Sequence, residues 1–471
     1  MPRPYNQVGD ENVPICSRCE KAGRQCDRSE APLKFKIITA RGIHDDRAEP
    51  PAFRLPDAPR KVLETAQMAD YFQHYISDLA PWYDLSDARS TFTTTVPRIS
   101  LDDPLLFSAV MALSAMHVSN TATPGSVASS AREVAEFYHG CCIRLLINLQ
   151  ESDRRLEGGV ALAATCLLRS YEILDTAQDA ADPNRHLRGA YSLATFPFQS
   201  HESSIPTTLL SRGLFAAGFW NYLREDITFS LFRRCALKID LGFLISPVGS
   251  VLAPSEDTLS EDEDYLNAIS LILGRIINAA FVHSGGGRSN GGMKDDTWTV
   301  LLDMVKSWRA ELPRHFQPFS SAKVASISAL PSVRVLQNCH AASHHYCLTS
   351  LMILVQQGES SPEKAQKLRS LLHVMGSDAP DLEMEAEDLL EHLALQICGI
   401  AFAANAPAVL VNAFGPMSYA SRWIRNSAAR EELAKVLLAC KKNTGWPGER
   451  LVTDMRSSWM PLSESFPHGE P

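Results

Sequence analysis

Apolar residues in this 471-residue chain recur every three and four positions from Lys61 onward, and this period restricts the fold more than any other feature. Met68, Phe72 and Ile76, for example, fall on one face of a helix. Alternating β-branched runs with hairpin turns are nearly absent. The pattern therefore predicts an all-α body with a large multi-helix domain.

Local signals place individual helices within that body. Asp103 and Pro104 are typical of a helix start, with the aspartate as N-cap and proline in the first turn, and an apolar helix is expected from Leu105 to Val118. An earlier helix should stop before Pro81. Further helices are predicted at about 129–150, 159–174, 208–223, 262–283, 295–311, 335–357, 384–412 and 427–443.

One apolar stretch, Leu393 to Phe414, is long enough to span a bilayer, but it contains polar residues and Pro407. Polar groups in hydrocarbon are costly, so a buried helix interrupted near Pro407 is the prediction and no membrane partner is expected. The acidic run from Ser255 to Asp264 and the glycine-rich run from Ser284 to Gly292 are predicted to be exposed loops.

Charge and composition divide the chain into segments. The formal net charge is −9, yet residues 1–60 carry 11 Lys/Arg and 9 Asp/Glu, so a slightly basic head precedes an acidic body. Proline-rich residues 29–60 cannot bury a core and indicate a flexible linker. The predicted segments are 1–28, a short polar segment; 29–60, the linker; 61–455, the helical domain; and 456–471, a tail.

Three of the eleven cysteines lie in the coreless first segment, as Cys16, Cys19 and Cys26 with the spacing C-x2-C-x6-C. Thiolates so spaced can share one zinc ion. A structural zinc site needs four ligands, and His44 is the nearest other candidate. The remaining eight cysteines lie in apolar segments and are predicted to be reduced and buried.

The segment PICSRCEKAGRQC resembles the second half of a fungal binuclear zinc cluster, in which six cysteines bind two zinc ions. The resemblance makes residues 1–28 a partial zinc-cluster DNA-binding segment. Cys16, Cys19 and Cys26 are then the fourth, fifth and sixth ligands, and zinc is the implied cofactor. Arg18, Lys21 and Arg24 flank these cysteines and are candidates for contacts to DNA phosphates, which add salt-dependent affinity without reading sequence.

The body also resembles the helical domain that follows such clusters in fungal transcription factors. The resemblance covers residues 61–455 and is carried by four stretches: PWYDL (81–85), DPLLFSAVMALSAMHVS (103–119), LLRSYEIL (167–174) and NTGWP (443–447).

The first half of the zinc cluster, with its basic base-reading helix, is not found before Cys16. Two explanations stay open: an upstream exon encodes it, or the protein has lost DNA binding and acts as a helical regulatory or ligand-binding protein through protein partners. Zinc is expected only where the missing half is supplied.

The resemblance implies a nuclear, sequence-specific DNA-binding regulator of RNA polymerase II genes in a fungus, controlling a metabolic or secondary-metabolite gene set. Its implied partners are promoter DNA and the transcription machinery or co-regulators, and it allows a homodimer and a small-molecule effector.

Several other groups of polar residues have the residue types of a metal or catalytic site but are not predicted to form one. His340 and His344 lie four residues apart, as two metal ligands on a helix would, but no carboxylate partner is evident, so packing and surface histidines are predicted. His139, beside Cys141 and Cys142, receives the same interpretation. Acidic residues at 261–264 and 295–296 could suggest a magnesium-dependent enzyme, but no second metal motif accompanies them. No catalytic residue and no enzyme are therefore expected.

Overall fold

The computed structural model describes residues 58–150, 152–175, 184–199, 210, 212–241, 261–281, 293–322, 328–358, 363–364, 366–368 and 385–459. The predicted zinc ligands, the basic residues beside them and the glycine-rich run lie outside the described residues. Most described residues are helical, which confirms the all-α prediction.

The first group of helices runs to residue 199 and includes one π-helical turn and one 3-10 turn after α2. Its elements are α1 (Pro59–Val62), α2 (Ala66–His74), the π turn (Tyr75–Leu79), the 3-10 turn (Ala80–Trp82), α3 (Thr91–Ser100), α4 (Pro104–Thr121), α5 (Ser126–Ile147), α6 (Arg154–Glu157), α7 (Val160–Leu174) and α8 (Arg185–Gln199).

The second group contains the remaining helices and one small hairpin. Its elements are α9 (Leu214–Arg233), α10 (Asp262–Phe281), α11 (Asp295–Glu311), a 3-10 turn (Arg314–Phe316), β1 (Ser320–Ala322), β2 (Ser332–Arg334), α12 (Asn338–Gly358), α13 (Ala386–Ala404), α14 (Pro407–Ser421), α15 (Ser427–Thr444) and α16 (Gly448–Trp459). The two strands pair antiparallel, with Ser321 opposite Val333.

Helix α4 is the centre of the first group. Every residue from Leu105 to His117 is buried, and α2, α3, α5, α7 and α15 pack around it. A helix that is apolar on all sides is stable in water only when other elements cover all sides. Its start is as predicted, because Oδ1 of Asp103 accepts the backbone N–H groups of Leu105 and Leu106 at 2.9 and 3.0 Å.

Helix α12 is the centre of the second group, where α10, α11, α13 and α14 pack against it. Helix α9 lies between the two groups and contacts α3, α7 and α8 on one side and α10 and α14 on the other. Arg224 and Asp226 of α9 are therefore placed in the interior of the body.

The long apolar stretch forms two helices rather than one. Helix α13 ends at Ala404, Asn405 adopts a left-handed backbone with φ of 47°, and Pro407 starts α14. This confirms the predicted interruption near Pro407. Within the described part of the chain, none of the helices combines the length and the apolar character needed to cross a membrane.

Helix boundaries agree with the sequence signals in some places and not in others. The predictions at 159–174, 295–311 and 427–443 match α7, α11 and α15 to within one residue. The prediction at 208–223 is wrong at both ends. Gly213, with φ of 96°, delays the start of α9 to Leu214, and the helix continues to Arg233 because the charged residues after Leu223 are buried rather than solvated.

Five helices have no counterpart among the predictions: the four-residue α1 and α6, and the longer α3, α8 and α16. Helix α3 contains Pro97 and a run of threonines, so its own sequence favours a helix weakly. Its first turn is stabilised instead by Asp84, whose carboxylate accepts the backbone N–H groups of Phe92 at 2.7 Å and Thr93 at 2.9 Å. A carboxylate outside the helix therefore supplies the cap.

Substitution of Gly159 would test the close approach of α7 and α9. Its φ is 80°, and a Cβ there would lie 2.5 Å from both N and Cα of Phe215. We expect Gly159→Ala to reduce the free energy of unfolding by about 2–4 kcal/mol, through backbone strain and overpacking. Gly140→Ala, in the middle of α5 with open space around it, should instead stabilise by up to about 1 kcal/mol. Urea denaturation measures both, and equal effects would contradict this account.

Candidate functional site

The four stretches that carry the family resemblance meet in the structure. We call this meeting point the motif junction and define it by residues 81–85, 103–119, 167–174 and 443–447. Trp82 is central to it, because its ring contacts His117 edge-on with centroids 5.4 Å apart and Trp446 with centroids 6.1 Å apart. Residues separated by most of the chain are thus brought into one aromatic contact.

Hydrogen bonds extend the motif junction. The side-chain amide of Asn120, next to the second stretch, donates to the carbonyl of Leu174 at 2.7 Å and to that of Gly445 at 3.4 Å. Gly445 has φ of 64°, and a Cβ there would lie 3.2 Å from Cδ2 of His117. The glycine of NTGWP therefore serves both the left-handed end of α15 and the close packing against α4.

The PWYDL stretch links the junction to α3, α7 and α9. The buried hydroxyl of Tyr83 donates to Oγ of Ser170 at 2.6 Å, and the carbonyl of Tyr83 accepts from Asn221 at 2.9 Å. Burial raises the pKa of Asp84 to about 6, although the hydrogen bonds from Thr93 and Phe92 oppose this. Trp82, Tyr83 and Asp84 of the stretch thus each have a structural partner.

A buried ion-pair network lies in the third stretch. The guanidinium of Arg169 lies 3.1 Å from Oε2 of Glu172 and 3.5 Å from Oε2 of Glu225, and the side chains of Arg169 and Glu172 are only 4% and 8% exposed. Glu172 also accepts the backbone N–H groups of Arg185 and His186, the first residues of α8. One guanidinium and two carboxylates therefore hold α7, α8 and α9 together.

Residues 68–211, about a third of the chain, match the family described as the fungal specific transcription factor domain. The match includes three of the four stretches of the motif junction. The fourth, NTGWP, lies outside the matched residues but packs directly on them through Trp446. No curated protein and no solved structure matches the chain.

A second cluster of polar groups lies outside the matched residues. Nε2 of His315 lies 2.8 Å from Oδ1 of Asp262, and Nε2 of His340 lies 2.9 Å from Oδ2 of the same carboxylate. His315 is 47% exposed, Asp262 is 19% exposed and His340 is fully buried. We call these three residues the His–Asp cluster. The cluster therefore has one side open to solvent and one side fixed in the core.

The structure corrects the prediction that the histidines near 340 lack a carboxylate partner. Asp262, in the first turn of α10, supplies it, and the end of the acidic run is helical rather than a loop. His344 is not part of the cluster, because its Nε2 lies 2.7 Å from the carbonyl oxygen of Phe316. Burial raises the pKa of the Asp262 carboxyl, but the hydrogen bonds with His315 and His340 outweigh it, and the net shift is downward.

Asp295 and Asp296, the other acidic residues that could suggest a magnesium site, lie in different surroundings. Asp295 forms an ion pair with Lys364 at 2.5 Å. Asp296 lines an open cavity of about 420 Å³, whose charged walls also include Asp240 and Arg275. The nearest hydrogen-bonding contact of Arg275 is Sδ of Met304 at 3.5 Å. The cavity therefore combines three charged side chains with walls that are otherwise mostly apolar.

His139 and the described cysteines lie largely in the interior. His139 stacks on Tyr171 with centroids 4.3 Å apart, and its Nε2 lies 3.1 Å from that of His186. All eight cysteines of the described residues are free and seven are buried, with Cys235 half-buried. This agrees with the prediction of reduced, buried cysteines.

The Arg169 network yields a prediction on stability. Arg169→Met should cost about 3 kcal/mol of unfolding free energy, because it leaves the carboxylates of Glu172 and Glu225 without their buried countercharge. Adding Glu172→Gln should recover part of that loss in a double-mutant cycle. Arg60→Met, which breaks the exposed pair with Asp102, should leave stability nearly unchanged. Additive losses in the cycle would show that Arg169 and Glu172 are not coupled.

His345 yields a prediction on pH dependence. Burial, reinforced by the neighbouring His344, lowers the pKa of His345 to about 3 in the folded protein. The unfolded chain therefore binds a proton that the folded chain does not, and stability is lost as pH falls from about 6.5. His345→Gln should flatten this loss by about 1.4 kcal/mol per pH unit between pH 6 and 4. Plots of unfolding free energy against pH for the two proteins should run parallel above pH 7. Parallel plots below pH 6 would contradict the assignment of this pH dependence to His345.

Proposed function

We propose that this protein is a nuclear transcription regulator of a fungus and not an enzyme. The observation that carries the proposal is the family match over residues 68–211, supported by the assembly of all four resemblance stretches at the motif junction. The regulated genes are proposed to be RNA polymerase II genes of a metabolic or secondary-metabolite set.

We propose that contact with promoter DNA belongs to the N-terminal segment. Residues 1–60 carry the excess of basic charge, and Arg18, Lys21 and Arg24 would bind phosphates. The rest of the chain carries 34 Lys/Arg and 45 Asp/Glu, so it is repelled by DNA and leaves its surfaces to co-regulators or a second copy.

Zinc is the implied cofactor of that segment, but the donor set in this chain is one short. Cys16, Cys19 and Cys26 offer three thiolates where a structural site needs four ligands. His44 is the nearest further candidate for the fourth ligand. No step of the proposed function is therefore derived through zinc.

The acidic body, with 34 Lys/Arg and 45 Asp/Glu beyond residue 60, would equally serve a second candidate function, that of a helical regulator acting through protein partners without touching DNA itself. A small-molecule effector fits either candidate, and the cavity lined by Arg275 and Asp296 is where we propose that it binds.

Tethering separates regulation from DNA binding. The full chain, fused to an unrelated DNA-binding domain, should change transcription of a reporter carrying that domain's site at least several-fold. Arg169→Met, which disrupts the helical body, should abolish the change, whereas Arg60→Met should keep it. A reporter that does not respond to the tethered chain at all would contradict the regulator proposal.

Direct DNA binding is tested with the unfused chain and a pool of random duplexes. Enrichment of one sequence, lost in the Cys16→Ser/Cys19→Ser/Cys26→Ser variant but kept in Cys235→Ser, supports DNA recognition by the N-terminal segment. Reporter activity on tethering without any enrichment supports the regulator that acts through partners.

A further inference from the structure

We propose that Asp262, His315 and His340 form a binding site for a divalent transition-metal ion, with zinc as the ion that fits best. The three residues come from three different elements: the start of α10, the 3-10 turn at Arg314–Phe316 and the start of α12. A bound ion would therefore join parts of the chain that are far apart in sequence. This site goes beyond the proposed function and lies outside the matched residues 68–211.

The distances suit a metal with little rearrangement. One ligand atom from each residue lies within 4.8 Å of the other two. Ligand atoms around tetrahedral zinc, with bonds of about 2.0–2.1 Å, are about 3.3 Å apart. The two hydrogen-bond distances of 2.8 and 2.9 Å are slightly shorter than that, so a small outward movement of His315 would make room for the ion. His315 is free to make it, since it is about half exposed.

The surroundings fix the ring of His340 and the backbone at His315 before any ion binds. Phe316 is fully buried and stacks on the ring of His340 with centroids 3.9 Å apart. His344 contacts the carbonyl oxygen of Phe316 and so fastens the 3-10 turn a second time. With Phe316 anchored inward, the adjacent His315 is directed to Asp262. Ligands held in position lose less conformational freedom when a metal binds.

His340 occupies a position where an apolar side chain would pack at lower cost. Its imidazole is fully buried, Nε2 faces Asp262, and Nδ1 has no hydrogen-bond partner among the described residues. Burying a polar ring with one nitrogen unsatisfied is costly, and an apolar side chain would avoid the cost. Among the described residues, the ring therefore makes its polar contact only within the cluster, through Nε2.

The chemistry and charge of the site select the class of ion. Two imidazoles and one carboxylate suit zinc and similar first-row ions better than calcium or magnesium, which prefer oxygen ligands. Glu261, Glu263 and Asp264 add negative charge beside Asp262 and attract cations, while exposed Arg314 is the basic neighbour within the turn. Three protein ligands leave room for water or a further ligand at the ion.

The test uses the full chain with Cys16, Cys19 and Cys26 replaced by serine, so that N-terminal thiolates cannot bind the probe. Zinc binding is measured by competition with a chromophoric chelator, and circular dichroism verifies that each variant is folded. We expect one zinc ion per chain, and a loss of affinity of about 100-fold or more in both His315→Ala and Asp262→Asn. His392→Ala, a half-buried histidine on α13 outside the cluster, should bind as the parent does.

Cobalt provides a second measurement that does not depend on affinity alone. Cobalt bound by nitrogen and oxygen ligands should give visible d–d bands without the thiolate charge-transfer band, and His315→Ala should remove those bands. The proposal is overturned if the serine-substituted chain binds no zinc at micromolar concentration. It is equally overturned if His315→Ala and Asp262→Asn bind zinc as tightly as His392→Ala does.

Discussion

The burial of one guanidinium, that of Arg169, determines how the first half of the body is assembled. A buried charge is tolerated only beside compensating charges and acceptors, and here two carboxylates from α7 and α9 supply them. Glu172 in turn accepts the N-terminal N–H groups of α8, so the same interaction sets the position of three helices. Apolar packing around α4 provides most of the driving force, while this network fixes which helices lie next to one another.

The sequence predicted those elements whose signals are local. Asp103 and Pro104 start α4 as expected, and Pro407 separates two helices because a proline and the residue before it both oppose helix continuation. Predictions failed where distant residues decide. The run Arg224 to Asp226 resembles an exposed helix end, yet Arg224 and Asp226 are buried and α9 passes through them. Helix α3 depends on the carboxylate of Asp84, which no periodicity within α3 reveals.

The candidate site shows the same division. The four resemblance stretches were identified from the sequence, but their convergence at Trp82, His117 and Trp446 required the structure. His340 and His344 have the spacing of two ligands on one helix face. His340 instead lies in a cluster with Asp262 and His315. Spacing along one helix cannot reveal a cluster that three elements form. The carboxylate was present in the acidic run, where it was interpreted as part of a loop.

The contact between Trp82 and Trp446 has a consequence for synthesis on the ribosome. The helices of residues 66–174 emerge early and can begin to pack, because their contacts are local. The surface of Trp82 that meets Trp446 stays uncovered until nearly all of the chain has been made. Exposed aromatic surface on an incomplete chain favours binding by chaperones and misassembly. A premature stop codon before residue 446 would thus leave a chain that keeps its matched family segment but lacks the cover for it.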